Sequence, residues 1–290
     1  MMQFTDSHCH LDFIEFQQKL PQLLNECQQK NINRIIVPSV NPEHWQRVLS
    51  LPSKAVNCKV KISCCLGIHP WFLILQDSLP DSRPAKNFDL SFHEQQLIQA
   101  VAEHSNSNSE KKIVAIGECG IDVFKAKKNA ESETALNNNL QLQQDFFEMQ
   151  LKIAKKNNLP VIVHHCQSHQ LILPLLKKIN LGKAGVIHAF SGSYQQAKAY
   201  VDLGFKLGIG GTITYPRAKK TINAIKRLPL SSLLLETDAP AMPPFGQQGF
   251  INTPLNLLAV FTALVNIRDE SAASIAEQIE STINELFFIR

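Results

Sequence analysis

The chain has 290 residues, of which 44% are hydrophobic, and its formal net charge is +4 at pH 7. This length exceeds that of an average domain but is normal for one α/β barrel, and no apolar run approaches the roughly 20 residues that span a bilayer. The seven cysteines form no CxxC pair, which argues against a disulfide framework or a structural zinc knot. Because Asp6, His8 and His10 interrupt any signal-peptide core, we expect a cytoplasmic protein.

Eight short apolar runs predict strands, and segments with helical spacing lie between them. The predicted strands are Phe4–His8, Arg34–Ser39, Lys61–Ile68, Ile113–Glu118, Val161–His165, Gly185–Ala189, Phe205–Gly210 and Leu233–Thr237. The predicted helices are Glu15–Lys30, Glu43–Leu49, Phe92–Glu103, Leu140–Asn157, Gln170–Ile179, Tyr194–Leu203, Ala218–Leu228, Leu255–Val265 and Ala272–Phe287. Eight strand–helix units favour a single-domain (β/α)8 barrel over residues 1–290, with a doubly wound open sheet as the main rival.

Three polar stretches interrupt the alternation, at Gln76–Asp89, His104–Lys112 and Lys125–Asn139. The second joins a helix to a strand, so we expect it at the end of the barrel away from the chemistry. The first and third follow strands, and in a barrel the loops after strands form the active-site face. We expect the third, which contains several lysines, to be a loop over the substrate.

Side chains that commonly bind metals recur where the predicted strands end. His8 and His10 are two residues apart, so on a strand they point the same way. The six candidate ligands are His8, His10, Glu118, His164, His188 and Asp238. The carboxyl ends of barrel strands form a ring, so all six can converge. They exceed the needs of one open tetrahedral site and predict two divalent ions that share a carboxylate.

The identity of those ions stays open among zinc, manganese and magnesium. Four histidines suit zinc or manganese, or iron, better than magnesium. Three cysteines, Cys9, Cys119 and Cys166, stand beside candidate ligands and are further but weaker ligand candidates.

Other polar residues are candidates for binding substrate. His69 ends the third strand and could reach substrate rather than metal, whereas His165 should point away from the site. Lys127 and Arg217 belong to two basic clusters that could contact nucleic acid. Such clusters are equally typical of solvated loops and helix ends.

Six motifs in order along the chain carry a family resemblance. They are DSHCHLD at Asp6–Asp12, GIHPW at Gly67–Trp71, GECGID at Gly117–Asp122, LPVIVHH at Leu159–His165, IHAFSGS at Ile187–Ser193 and LLLETDAP at Leu233–Pro240. Together they resemble the TatD family of metal-dependent deoxyribonucleases, among the amidohydrolase-like barrels. The segment GGTITYPRA at Gly210–Ala218 is similar to the YjjV branch of that family.

The resemblance implies a (β/α)8 barrel that hydrolyses DNA, often from a 3′ end, with two divalent metal ions. It implies that His8, His10 and Asp238 hold one ion. It implies that His164 and His188 hold the other and that Glu118 bridges the two. Asp238 would also orient or deprotonate the attacking water, so Asp238 and Glu118 are the expected catalytic residues. DNA is then the expected partner, with neither a membrane nor an obligate protein partner.

One departure from the family pattern leaves other functions open. Cys166 stands where the family usually has an arginine, which could bind phosphate through two hydrogen bonds. A two-metal hydrolase of another bond, such as an amide or an aminoacyl ester, is therefore the alternative. A non-catalytic member that binds DNA or a protein is a third hypothesis, against which the intact ligand set argues.

Overall fold

The computed structural model describes residues 2–55, 58–74, 88–104 and 112–289. Its strands form one sheet in chain order, and each strand is parallel to its neighbours. The strands are β1 (Phe4–Asp6), β2 (Ile32–Pro38), β3 (Lys61–Leu66), β4 (Ile113–Asp122), β5 (Val161–Cys166), β6 (Gly185–Ile187), β7 (Lys206–Ile209) and β8 (Leu233–Leu235). The predicted eight-stranded α/β barrel is thus confirmed.

Helices follow the strands and cover the outside of the sheet. Those within the described ranges are α1 (Ile14–Gln17), α2 (Leu20–Gln29), α3 (Trp45–Lys54), α4 (Leu90–His104), α5 (Val123–Asn129), α6 (Glu133–Lys156), α7 (His169–Ile179), α8 (Tyr194–Val201), α9 (Lys219–Arg227), α10 (Leu257–Ile267) and α11 (Ala272–Phe287). A search of these helices finds none that is both long and apolar enough to cross a membrane. Most of the polar stretches Gln76–Asp89 and His104–Lys112 lies outside the described residues.

Backbone hydrogen bonds between the ends of β1 and β8 close the barrel. Ser7 N donates to Leu235 O at 3.0 Å, and Asp238 N donates to His8 O at 2.9 Å. One step further, His10 N donates to Ala239 O at 2.8 Å. Because the closure runs through candidate ligands, forming the barrel also places the His8–His10 pair beside Asp238.

A buried carboxyl group fixes the register of this closure. Asp6 accepts hydrogen bonds from the backbone N and the hydroxyl of Thr237, at 3.0 and 2.6 Å. Burial raises the pKa of Asp6 to about 8, and the hydrogen bonds oppose that rise only in part. The pair ties β1 to the chain just after β8, so a slip of either segment would leave buried polar groups without partners.

Two amide side chains of α6 hold the ends of β3 and β4. Gln150 exchanges two hydrogen bonds with the backbone of Ile68, at 2.8 and 3.0 Å, and Gln143 Oε1 accepts from Asp122 N at 2.8 Å. Both glutamines are buried, and the ladder between β3 and β4 ends at Leu66 and Ile116, before the residues that the glutamines contact. These bonds satisfy backbone groups that would otherwise be unpaired and thereby fix the loops that carry His69 and Asp122.

The prediction of a loop at Lys125–Asn139 is wrong, because most of this stretch is helical. Asp122 caps α5 by accepting from Lys125 N at 2.7 Å, and Ser132 caps α6 by accepting from Ala135 N at 3.1 Å. Helix α5 buries only Val123 and Ala126, so its sequence shows no apolar period. The predicted helix at Glu15–Lys30 is also divided, since Pro21 in the first turn of α2 begins a new helix.

A close approach of two backbones at Gly67 predicts a measurable effect on stability. A Cβ atom at this position would lie 2.6 Å from the carbonyl carbon of Gly117 and 2.8 Å from Glu118 O. We expect Gly67→Ala to lower the free energy of unfolding by about 1–3 kcal/mol, because the strand ends must move apart. Urea denaturation measures the change. Gly182→Ala, whose nearest neighbour would be 3.5 Å away, is the control, and equal stability of the two variants would contradict this account.

Candidate metal centre

The six predicted ligands meet inside the carboxyl end of the barrel, around Glu118. This side chain is only 1% exposed and projects from β4 into the ring of strand ends. Its backbone N donates to Ser39 O at 2.9 Å, which ties β4 to the end of β2. The two carboxylate oxygens of Glu118 face different groups of side chains.

The first group lies at Glu118 Oε2. The Nε2 atoms of His8 and His10 are 3.2 and 3.4 Å from this oxygen and 3.2 Å from each other. Asp238 Oδ1 lies 3.6 Å from both nitrogens. Asp238 has φ of +55°, a left-handed backbone conformation that turns the chain just after β8.

The second group lies at Glu118 Oε1. His188 Nε2 is 2.8 Å and His164 Nδ1 is 2.9 Å from this oxygen, and the two nitrogens are 3.2 Å apart. His69 Nε2 approaches the same oxygen at 3.1 Å. Glu118 is therefore placed between one histidine pair from β1 and another from β5 and β6.

The donor set and its spacing fit divalent ions. Two ligand atoms bound to one tetrahedral zinc ion at 2.0–2.1 Å lie about 3.3 Å apart. The contacts around Glu118 described above, from 2.8 to 3.6 Å, bracket that separation. Clusters of ligand atoms suited to a metal include His8 with His10 and Asp238, and His69 with Glu118 and His164.

The hydrogen bonds of His69 make it a donor to Glu118 rather than a ligand. Its Nδ1 accepts a hydrogen bond from Trp71 N at 3.0 Å. Burial lowers the pKa of His69 to about 4, so the ring is neutral at pH 7 and its one proton is on Nε2. That proton points at Glu118 Oε1. His69, predicted to bind substrate, is thus placed against the carboxylate itself.

Outer polar groups select which nitrogen of two other rings faces Glu118. His10 Nδ1 lies 3.2 Å from the carbonyl of Pro38, so it donates there and leaves Nε2 free as a ligand. His164 Nε2 lies 3.1 Å from Asp122 Oδ2, which leaves Nδ1 free. Asp122 also accepts a hydrogen bond from Trp71 Nε1 at 2.6 Å. Such outer contacts fix the orientation and tautomer of metal-binding histidines.

Electrostatics within the cluster favour an ionised Glu118. Burial alone would raise the pKa of this carboxyl, but His188, His69 and His8 lower it well below its usual range. Burial lowers the pKa of His188, yet Glu118 more than offsets this and holds it well above the ordinary value. Burial raises the pKa of Asp238 to about 6, against the effect of His188 and His10.

Two carboxylates of the site, Asp122 and Glu236, were not among the sequence candidates. Each is an even number of residues from a candidate ligand, Asp122 four after Glu118 and Glu236 two before Asp238. Strand periodicity places such residues on the same side of the chain, and this signal could have found both. Asp122 contacts His164, and Glu236 Oε1 lies 3.7 Å from His188 Nδ1.

The predicted basic residues lie on the outer rim of this face. Lys127 is exposed on α5, and Arg217 is exposed after β7 with its guanidinium 5.1 Å from the Tyr215 ring. Arg217 borders a cleft of about 380 Å³ between the loops that follow β6, β7 and β8. The cleft is lined by Ser191, Thr212, Tyr215, Arg217, Lys220 and Met242, among others.

Among the described residues, none of the side-chain groups that could hold a metal ion contains a cysteine. Burial raises the pKa of the Cys9 and Cys119 thiols well above the ordinary range, and it raises that of Cys166 to about 11. The thiol of Cys119 points to the carbonyl of Ile162 at 3.6 Å. His165, as predicted, packs away from the site, with its ring centroid 5.6 Å from that of Tyr200.

Comparison with known proteins gives consistent matches over nearly the whole chain. Residues 5–288 match the profile of the family described as TatD related DNase. The chain is 40% identical to the Escherichia coli uncharacterized metal-dependent hydrolase YjjV, over 98% of this chain and 97% of that protein. It is 37% identical to an uncharacterized metal-dependent hydrolase of Haemophilus influenzae, over 93% and 94%. The crystal structure of E. coli YjjV superposes with a TM-score of 0.82 and 38% identity, over 99% and 98%.

The contact between Asp122 and His164 predicts an effect on metal affinity. An amide at position 122 can present its NH2 group to His164 Nε2, which would move the ring proton to Nδ1 and block that ligand atom. We expect Asp122→Asn to weaken zinc binding by about 10–100-fold. Competition with a fluorescent chelator measures the affinity. Asp145→Asn, an exposed change on α6, should retain wild-type affinity, and wild-type affinity in Asp122→Asn would contradict the assigned role.

Proposed function

This chain belongs to the family of TatD-related DNases, and on that premise we propose that it is a metal-dependent hydrolase that cleaves phosphodiester bonds in DNA. The observation that supports this most is the placement of Glu118. Its two carboxylate oxygens face separate histidine pairs, as a carboxylate shared by two divalent ions must. His8, His10 and Asp238 would hold one ion, and His164 and His188 the other.

The chemistry divides between the ions and the residues around them. Bound divalent ions would lower the pKa of water and stabilise charge that develops on the phosphate. Asp238 lies at the open side of the His8–His10 pair and can accept the proton of the attacking water. His69 keeps Glu118 in place through its Nε2 proton, so the shared carboxylate need not rotate during turnover.

Basic residues on the rim supply the contacts that DNA requires. Lys127 lies in the last turn of α5, the helix that Asp122 caps, and Arg217 borders the cleft formed by the loops after β6, β7 and β8. Trp71 is 53% exposed, and Lys125 Nζ lies 4.8 Å from the centroid of its ring. Cations and an exposed aromatic ring together are typical of surfaces that bind unstacked nucleotides.

Hydrolysis of end-labelled DNA tests the proposal directly. Purified protein is incubated with single- and double-stranded DNA in EDTA, Mg²⁺, Mn²⁺ or Zn²⁺. A ladder that starts from one end and disappears in EDTA is the expected result. Metal-loaded, folded protein that leaves DNA intact but hydrolyses an aminoacyl ester would support the alternative hydrolase, which the cysteine at position 166 favours.

Asp238→Asn separates catalysis from folding. An amide cannot take up the proton of the attacking water, so we expect a fall in kcat of about 10²–10⁴-fold with an unchanged thermal midpoint. Single-turnover cleavage of labelled DNA and a thermal melt measure the two quantities. Asp202→Asn, an exposed change at the end of α8, is the control. A wild-type rate in Asp238→Asn would rule out its assigned role.

Lys127→Ala tests the contribution of the rim to DNA affinity. Each phosphate contact that is lost should reduce the slope of log K against log salt by about 0.7–0.9. We expect weaker DNA binding and a slope reduced by about that amount, measured by fluorescence anisotropy over a salt series. Lys178→Ala removes a charge from the last turn of α7, at the opposite end of the barrel, and should leave the slope unchanged. Equal slopes in the wild type, Lys127→Ala and Lys178→Ala would show that Lys127 makes no contact with DNA.

A further inference from the structure

Three buried polar atoms beneath the candidate metal centre lack hydrogen-bond partners among the described residues. They are His8 Nδ1, His188 Nδ1 and Glu236 Oε2. Glu236 is fully buried, and His188 Nδ1 lies 3.7 Å from its other oxygen, Oε1. One nitrogen from each histidine and one oxygen of Glu236 all lie within 4.8 Å of one another. Such a group is unusual, because a buried donor or acceptor without a partner destabilises the folded state.

The two histidines share one orientation. Their rings stack with centroids 4.0 Å apart and an angle of 14° between the planes. The Nε2 atoms of both face Glu118, at 3.2 Å for His8 and 2.8 Å for His188. If Nε2 is the ligand atom, a neutral ring carries its proton on Nδ1, so two N–H donors are left buried without an acceptor.

We propose that Glu236 is a positioning residue that holds both rings in this tautomer through one buried water molecule. The water would accept from the two Nδ1–H groups and donate to Glu236 Oε2. A tetrahedral oxygen with hydrogen bonds of about 2.8 Å reaches atoms about 4.6 Å apart, and one nitrogen of each ring and one oxygen of Glu236 lie within 4.8 Å of one another. The inference rests on the proposed metal centre. It requires Nε2 to be the ligand atom of His8, in the group at Glu118 Oε2, and of His188, in the group at Glu118 Oε1.

A cation in place of the water fits the chemistry poorly. It would need lone pairs on both Nδ1 atoms, and the same two rings would then lack lone pairs for the ions at Glu118. Water uses the protons that the ligand role leaves on Nδ1. The inferred site is therefore polar but takes no metal.

Gly208 on β7 provides the space that Glu236 occupies. A Cβ at this position would lie only 2.0 Å from Glu236 Oε2. A Cβ at Gly210, two residues further along, would lie 3.5 Å from the backbone oxygen of Glu236, an ordinary contact. The two glycines thus offer a matched pair, because alanine at Gly208 displaces the carboxylate without changing its charge and alanine at Gly210 does not.

The test measures zinc affinity, with zinc alone as the probe, in wild-type protein, Glu236→Gln, Gly208→Ala and Gly210→Ala. The glutamine NH2 group would face the Nδ1 atoms and favour the tautomer with the proton on Nε2. We expect both Glu236→Gln and Gly208→Ala to bind zinc about 10–100-fold more weakly, and Gly210→Ala to bind like wild type. A thermal melt without zinc identifies any variant that fails to fold, in which case the other variant carries the test.

The outcomes separate this inference from the proposed function. Wild-type zinc affinity in a folded Glu236→Gln or Gly208→Ala would overturn the positioning role while the metal centre stands. If the wild-type protein binds no zinc, both the proposed metal centre and this inference are wrong. A crystal structure of the zinc-bound protein should show a water peak within hydrogen-bonding distance of both Nδ1 atoms and Glu236, and its absence would overturn the water-mediated link.

Discussion

The site depends on the burial of one charge, the carboxylate of Glu118, inside the carboxyl end of the barrel. An ionised group that is 1% exposed is tolerated only where opposite charge or hydrogen bonds compensate for lost water. Five imidazoles provide that compensation, each with a nitrogen within 3.4 Å of one of its oxygens. They come from the ends of β1, β3, β5 and β6, so the charge is stable only once the barrel has closed. The contacts that close the barrel therefore also bring the side chains of the site together.

When a metal is bound, each histidine ligand is neutral, and the position of its single proton then determines the arrangement. A histidine has one proton to donate, and the group that receives it decides which nitrogen is left for a metal. The carbonyl of Pro38 receives it from His10, Asp122 receives it from His164, and Glu118 itself receives it from His69. The proposed water at Glu236 completes the set for His8 and His188. The group that accepts the ring proton therefore decides whether a histidine can bind a metal or only donates a hydrogen bond to Glu118.

The barrel could be predicted from the apolar runs in the sequence. The residues that converge inside it could be predicted from the polar residues that follow those runs. That information is local, because the strands are mostly buried and each ligand lies on a strand or within four residues after one. Tautomers and outer carboxylates could not be predicted in the same way. The role of Glu236 depends on the glycine opposite it on β7, and that of Asp122 depends on Trp71 and His164 from neighbouring strands. Helix α5 was missed because its stability comes from the Asp122 cap and two small buried residues, which leave no period in the sequence.

Asp122 also connects the candidate metal centre to the rim, because it contacts both His164 and Trp71. Cys166 is a further neighbour of this carboxylate. The Cys166 thiol lies beside Asp122, and an arginine there would place its charge against that carboxylate. In this chain Asp122 instead accepts from Trp71 Nε1, and the cation next to the indole is Lys125, in the first turn of α5. Positive charge near Trp71 and Asp122 thus comes from Lys125, in the helix that Asp122 caps. On the proposed function, Lys125 would bind phosphate as a point charge, without the paired hydrogen bonds of arginine, and contacts at this rim would tolerate variation in the position of the phosphate.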